Sequence, residues 1–269
     1  MSPLPSPPRS ALPPGWPKRR RWRKSASRPR CASARAGERG PIWFVTSEQT
    51  AGRGRRQRAW IAPRGNLAAS ILEVLDVAPA VAATIGFAAG LAEEAALEKV
   101  SLEAALRLGE GRPRYALKWP NDVLAGGKKL VGIALEAEAI GDRLAVVAGI
   151  GTNVVAAPEG TPTPAVSLAA LGVQISAEEL FSALSDAWVE FRGIWDNGRG
   201  FAEIRKLWLE RAAGLGEKVA IHTGTTTLEG IFDTIDDTGC LIVRTAEGRL
   251  VPVAAGEVFF GRVASVGAA

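Results

Sequence analysis

The sequence predicts an α+β fold that ends in a small all-β unit. Three observations predict it. Between Pro41 and Ala213, short β-branched runs alternate with Ala-rich and amphipathic helical stretches. After Gly214, five short strand patterns follow within about fifty residues, which suggests a small barrel. Before Pro41 neither period survives. The chain therefore divides into residues 1–40, 41–213 and 214–269.

Residues 1–40 hold eight of the seventeen prolines and the run Lys18-Arg19-Arg20-Arg21-Trp22-Arg23-Lys24. Such a segment has too little apolar surface to offset its ordering entropy, so it reads as a disordered basic leader. Ile42–Ser47 is a strand, Glu48–Arg58 a Gly/Arg loop and Asn66–Val74 a second strand. Pro79–Lys99 is apolar at helical spacing and predicts a buried helix. Arg114–Trp119, Lys129–Glu138 and Arg143–Ile150 are strands, the last two joined by the turn Ala139-Ile140-Gly141-Asp142. Ser176–Trp195 and Phe201–Ala213 are amphipathic helices, the first opened by a capping box, Ser176 with Glu179. The tail strands are Lys218–His222, Thr226–Ile235, Leu241–Thr245, Arg249–Ala254 and Val258–Val263.

Composition removes several function classes. Apolar and charged fractions are those of a soluble globular protein, and no apolar run approaches the roughly 20 residues that span a bilayer. The basic N-terminus lacks the apolar stretch of a secretory signal. With Cys31 and Cys240 far apart and His222 the single histidine, neither zinc, a disulfide scaffold nor a Ser-His nucleophile is expected. The net charge of +5 misleads. Residues 1–40 carry eleven Lys/Arg and one Glu, hence +10, and the other 229 residues carry 22 Lys/Arg against 27 Asp/Glu, hence −5. The folded body is acidic, so nucleic-acid binding is not expected.

Three motifs carry chemistry. Gln49-Thr50-Ala51-Gly52-Arg53-Gly54-Arg55-Arg56-Gln57-Arg58-Ala59-Trp60 sets four arginines among glycines, a dense anion-binding loop that matches neither common phosphate-loop pattern. Lys118-Trp119-Pro120-Asn121-Asp122-Val123 ends a strand at a proline-fixed turn, with Gly126-Gly127-Lys128-Lys129-Leu130-Val131-Gly132 following. It offers a carboxylate for Mg²⁺ and lysines that can neutralise a phosphoryl group. Ala148-Gly149-Ile150-Gly151-Thr152-Asn153-Val154 closes an apolar strand with glycines that permit close approach. Each also reads as a plain loop, turn or strand end, but all three in this order point to nucleotide activation.

Together the motifs resemble those of biotin protein ligases, from about Pro41 to Val263. The resemblance implies a mixed β-sheet with flanking helices, akin to lipoate ligases and class II aminoacyl-tRNA synthetases, plus a small SH3-like barrel. It implies a cytoplasmic enzyme that forms biotinyl-5′-AMP from biotin and ATP, with Mg²⁺, and passes biotin to a lysine of a biotin carboxyl carrier domain of acetyl-CoA carboxylase or a related carboxylase. Members often dimerise, and this chain resembles the type without a repressor domain. It further implies that Gln49, Gly52, Arg53 and Arg55 line the biotin side, that Arg55 and Arg58 meet phosphates, and that Trp60 packs near the adenine. Lys129 would bridge the biotin carboxylate and the α-phosphate, with Gly132 letting the strand approach biotin. Asn121 would meet the nucleotide, Asp122 would hold Mg²⁺ or assist attack on the intermediate, and Asn153 would meet ribose or adenine. Lys118 would serve phosphate or acceptor. Lys129, Asp122 and Arg55 are the expected catalytic residues.

Two departures stand out. Gln57 replaces a family glycine, which restricts φ there and predicts weaker retention of the adenylate. The family's Ser-Thr-Asn segment, some twenty residues before the Arg loop, has no counterpart, and residues 23–31 read Arg23-Lys24-Ser25-Ala26-Ser27-Arg28-Pro29-Arg30-Cys31. That composition suggests a misread frame that joins the true one near residues 34–40. A lipoate or octanoyl transferase of the same fold and an impaired ligase remnant stay open as alternatives.

Overall fold

The computed structural model describes residues 18–21, 34, 37, 40–46, 49–54, 59–108, 111–161, 163–223 and 226–260. Its strands in chain order are β1 (Lys18–Arg21), β2 (Ile42–Thr46), β3 (Gln49–Arg53), β4 (Ala59–Ala62), β5 (Leu67–Leu75), β6 (Tyr115–Lys118), β7 (Asp122–Ala125), β8 (Lys128–Ile140) and β9 (Arg143–Thr152), then β10 (Lys218–Thr223), β11 (Thr226–Ile235), β12 (Leu241–Arg244), β13 (Leu250–Val253) and β14 (Glu257–Phe260). Its helices are α1 (Pro79–Ala83), α2 (Ile85–Leu108), α3 (Ala177–Trp195) and α4 (Phe201–Leu209).

One sheet has seven strands in the order β1-β2-β5-β9-β8-β7-β6. Only β1 is parallel to its neighbour, which makes the sheet mixed as expected. The apolar faces of α2 and α3 cover one side, burying Trp43, Ile71, Ala148 and Ile133. There Trp43 meets Phe181 and Trp188 edge to face, with ring centroids 5.4 and 6.0 Å apart. On the other side a smaller cluster of Ile42, Phe44, Leu72 and Val147 covers one end only. Strand β9 is apolar almost throughout because both of its faces are covered along most of its length.

The tail is a five-stranded antiparallel sheet in the order β13-β12-β11-β10-β14. It is joined to the large sheet at the end of β6. Leu117 N–H donates to Arg211 O and Ala213 N–H to Leu117 O, each at 2.8 Å, and the Trp119 indole donates to Gly239 O at 3.1 Å.

Several elements differ from expectation. Lys18–Arg21 is a strand rather than structureless, because the edge of β2 offers unpaired backbone groups that any side chain tolerates. The rest of the leader, apart from residues 34, 37 and 40, lies outside the described residues. The Gly/Arg segment is a loop only in part, since Gln49–Arg53 pairs with β4. Helix α2 runs to Leu108, beyond Lys99, because Glu103, Ala104, Ala105 and Leu106 are good helix formers. By length and composition Pro79–Arg107 could cross a membrane, but 72% of its apolar window is buried in this fold. Helix α4 stops at Leu209 because residues 211–213 run along the open edge of β6. The capping box of α3 is formed as predicted.

Candidate active site

The pleat and register of the large sheet build a flat floor on the side away from the helices. Cross-strand partners align Thr46, Ala68, Gly151, Gly132, Asp122 and Lys118 in one row across six strands. The next row on that face is Phe44, Ser70, Gly149 and Ala134. Small residues at the centre of both rows leave space above the sheet. A cavity of about 260 Å³ opens there, closed at one end by Val147 of the apolar cluster.

The β6–β7 turn puts charge at the other end. The Trp119–Pro120 bond is cis, and Asn121 follows at the tip of the turn. The Lys129 side chain folds back across Gly132, where a Cβ would lie 3.3 Å from its Cε. Its Nζ then stands 2.6 Å from Asp122 Oδ1. Lys118 is 6% exposed, with its Nζ 5.9 and 5.7 Å from the ring centres of Phe259 and Phe260 on β14. Burial pulls the Lys118 ammonium below its ordinary pKa. Asp122 opposes that pull, Lys129 adds to it, and Glu257 opposes it. Asn121 Nδ2 donates to Ile133 O at 2.6 Å, and Ile133 N–H returns a bond to Asn121 O at 2.8 Å, which ties the turn to β8.

Trp60 roofs the glycines. Its indole lies so close to the floor that a Cβ at Gly151 would stand 2.5 Å from the ring and one at Gly132 3.0 Å away. Its ring centre is 5.8 Å from Lys129 Nζ. Gln49 lines the cavity beside it. On the third side, Pro158, Thr161, Thr163 and Ala165 close over Lys129, pinned by Lys129 N–H to Pro164 O at 2.7 Å and Val166 N–H to Lys129 O at 3.0 Å. Asn153 donates from Nδ2 to Val166 O at 3.2 Å. Its buried Oδ1 has no hydrogen-bond partner among the described residues.

Gln49, Trp60, Lys118, Asn121, Asp122, Lys129, Gly132 and Asn153, eight of the residues singled out in the sequence, therefore share one cavity. Gly52 does not line it. Gly52 stands in the β3–β4 ladder, where a Cβ would meet the Trp60 carbonyl at 2.3 Å. Arg53 is placed on β3 by its backbone, and Arg55, Gln57 and Arg58 lie outside the described residues. Sequence reasoning missed Ala68, Ser70 and Ala134, whose small size reads as ordinary strand sequence until the register is known. It also missed Gly256, Glu257 and Val258, which arrive from the tail sheet.

The arrangement suits a flat molecule with an anionic end, laid on the small-residue floor with its charge toward the lysines. Among the described residues no three Asp, Glu, His or Cys side chains gather, and Asp122 Oδ1 already faces an ammonium. A magnesium ion fits only as one shared with phosphate oxygens, its usual manner of binding in nucleotide sites.

Residues 37–153 match the Biotin/lipoate A/B protein ligase family, and residues 214–261 match the Biotin protein ligase C terminal domain. The chain is 42% identical over 232 residues to a biotin–[acetyl-CoA-carboxylase] ligase of Paracoccus denitrificans, covering 84% of this chain and 92% of that one. It is 35% identical over 221 residues to the ligase of the same name from Mycobacterium tuberculosis, covering 81% and 78%. In fold it is similar to a biotin protein ligase from Aquifex aeolicus solved with biotin and ATP, with a TM-score of 0.71, 24% identity and coverage of 91% and 99%.

Proposed function

This chain belongs to the biotin protein ligase family, and on that premise we propose how its own residues carry the family's reaction. It is an ATP-dependent ligase that activates biotin and transfers it to a protein. A biotin carboxylate oxygen attacks the α-phosphorus of ATP, the bond to the bridging oxygen breaks, and biotinyl-5′-AMP and pyrophosphate form. The uncharged amine of an acceptor lysine then attacks the acyl carbon. The amide forms, AMP leaves with the electrons of the acyl C–O bond, and one proton is released.

The single observation that carries the assignment is the Lys129 ammonium, held over Gly132 and against Asp122 at the charged end of the floor. Two anions must meet in the first step, and an ammonium fixed at their meeting point lowers that barrier without reorganising. Biotin would lie on the Ala68–Gly151–Gly132 and Ser70–Gly149–Ala134 rows, where glycines admit its ring to the backbone, with Gln49 at its side. ATP would place its phosphates between Lys129 and Lys118, with Arg55 and Arg58 arriving from the Gly/Arg segment. Asn153 Oδ1 would accept from the nucleoside. Asp122 first steadies Lys129 and then accepts the proton of the incoming lysine. Mg²⁺ would enter with the phosphates and neutralise them.

Residues 41–213 would form the catalytic body and 214–269 the C-terminal unit, which reaches the same cavity through Glu257. The acceptor would be the carrier domain of acetyl-CoA carboxylase or a related carboxylase, as the names of the relatives suggest. A cytoplasmic location would supply the ATP that the reaction consumes.

The test is biotin-dependent ATP–pyrophosphate exchange together with biotin transfer to a purified carrier domain. Wild type is expected to do both, and Lys129→Ala to lose about 10²–10³ in rate, the usual cost of one transition-state donor. Activation of lipoate in place of biotin would overturn the reading.

A further inference from the structure

Glu93 lies on α2 beneath the sheet, 0% exposed, and the reaction above does not use it. Its Oε1 accepts from Thr152 Oγ1 at 2.5 Å, while Oε2 has no hydrogen-bond partner among the described residues. Among the described residues no cation pairs with it. Arg211 pairs with Glu94, Arg192 with Glu73 and Lys99 with Asp186. An apolar pair of the same volume would pack this place at lower cost, so the acid calls for a reason beyond filling space.

Thr152 supplies one. It is the last residue of β9, paired with Leu67 on one side and Val131 on the other. Its side chain turns down to Glu93, and the next residue turns into the cavity. Asn153 N–H donates to Leu130 O at 3.0 Å, and its carbonyl accepts from Leu168 N–H at 2.9 Å. Its side chain holds Val166 O, and Val166 N–H holds the Lys129 carbonyl. A path of hydrogen bonds joined by short backbone steps therefore runs from the buried acid through the end of β9 to the backbone of the lysine at the centre of the site.

We propose that Glu93 is a positioning residue for ligation. By clamping Thr152 it fixes where β9 ends, and so sets Asn153, residues 164–166 and Lys129 in their working places. It touches no substrate. The inference rests on the ligase reading above.

The experiment compares Glu93→Gln, Glu93→Leu and Thr152→Val with Leu97→Ala, a cavity control buried one turn further along α2. Amide exchange of the ligand-free protein is read over residues 153–168, and kcat and KM for ATP are read in biotin-dependent pyrophosphate exchange. Glu93→Leu and Thr152→Val are each expected to speed exchange over that segment and to lower kcat about tenfold or more, as small misplacements of catalytic groups do. Glu93→Gln, which keeps an acceptor for Thr152, is expected to stay near wild type in both. Leu97→Ala should lower Tm and leave both unchanged. The proposal fails if Glu93→Leu merely lowers Tm like Leu97→Ala, or if Gln proves as damaging as Leu. If wild type shows no biotin-dependent exchange, the ligase reading falls, and the amide-exchange arm still decides whether Glu93 holds the end of β9.

Discussion

Lys129 and Asp122 meet at 2.6 Å across the glycine floor, on the neighbouring strands β8 and β7, whose pairing is irregular between Val123 and Leu124. Both side chains are largely shielded, so each leaves the other poorly solvated if it is removed. Lys129→Met or Asp122→Asn alone is expected to cost about 1–3 kcal/mol of stability. The double variant should recover much of that loss in a thermal melt while remaining inactive. Additive losses in the double variant would show that the two groups do not depend on one another.

Gly151 faces the Trp60 indole with no space between them. Gly151→Ala is expected to raise KM for biotin or ATP strongly with little loss of Tm, because the methyl displaces a roof rather than the core. Adding Trp60→Ala should restore part of the binding. Steady-state kinetics of the single and double variants decide it, and no restoration would mean that the glycine serves the ligand directly.

Burial pushes the Glu93 carboxyl from 4.5 up to about 7. Between these values the folded protein holds a proton that the unfolded chain has released. Stability therefore falls as pH rises through that window and levels off above about 7. The whole effect is at most about 3.5 kcal/mol, at about 1.4 kcal/mol per pH unit. Denaturant titrations from pH 4.5 to 8 should show Glu93→Gln gaining on wild type by an amount of that order. Parallel curves would refute it.

Phe259 and Phe260 present their rings to Lys118. Changing both to Leu is expected to weaken the tie between tail sheet and site by about 1 kcal/mol. A double-mutant cycle with Lys118→Met measures it. A coupling of zero would reduce the two rings to packing.

Ser176 accepts from Glu179 N–H at 3.1 Å, and Ser176 N–H donates to Glu179 Oε2 at 2.7 Å. Ser176→Ala should cost about 1 kcal/mol in a thermal melt and leave activity untouched, since α3 lies on the far side of the sheet.

Much of the site was legible because its chemistry is local. The Lys118–Val123 and Lys129–Gly132 stretches lie close in sequence, and a proline, a turn and two short strands bring them together. The β7 strand was not legible. Four residues after a turn carry too little pattern to be told from the turn itself. The pairing of Gln49–Arg53 was hidden by its glycines and arginines, which read as loop by composition. Glu93 was hidden for the opposite reason, since a glutamate at helical spacing reads as solvated until the sheet is seen above it. The contribution of Glu257 depends on a fold of the chain back across more than a hundred residues, and no local period records that.

The β8–β9 ladder runs unbroken from the Val131–Thr152 pair to the Ile140–Arg143 pair, and Gly141-Asp142 closes it with Gly141 at φ 60°. The floor glycines sit near one end of this ladder, and the turn lies eight pairs away, roughly 27 Å at about 3.4 Å per residue. Tolerance to inserted sequence should differ sharply between the two ends. One residue added after Gly149 would turn Ile150 toward the ligand and Gly151 toward the helices. Residues added at Gly141-Asp142 would extend into solvent and leave every row in place. That turn is where a tag or a split-protein junction can be set without disturbing the chemistry.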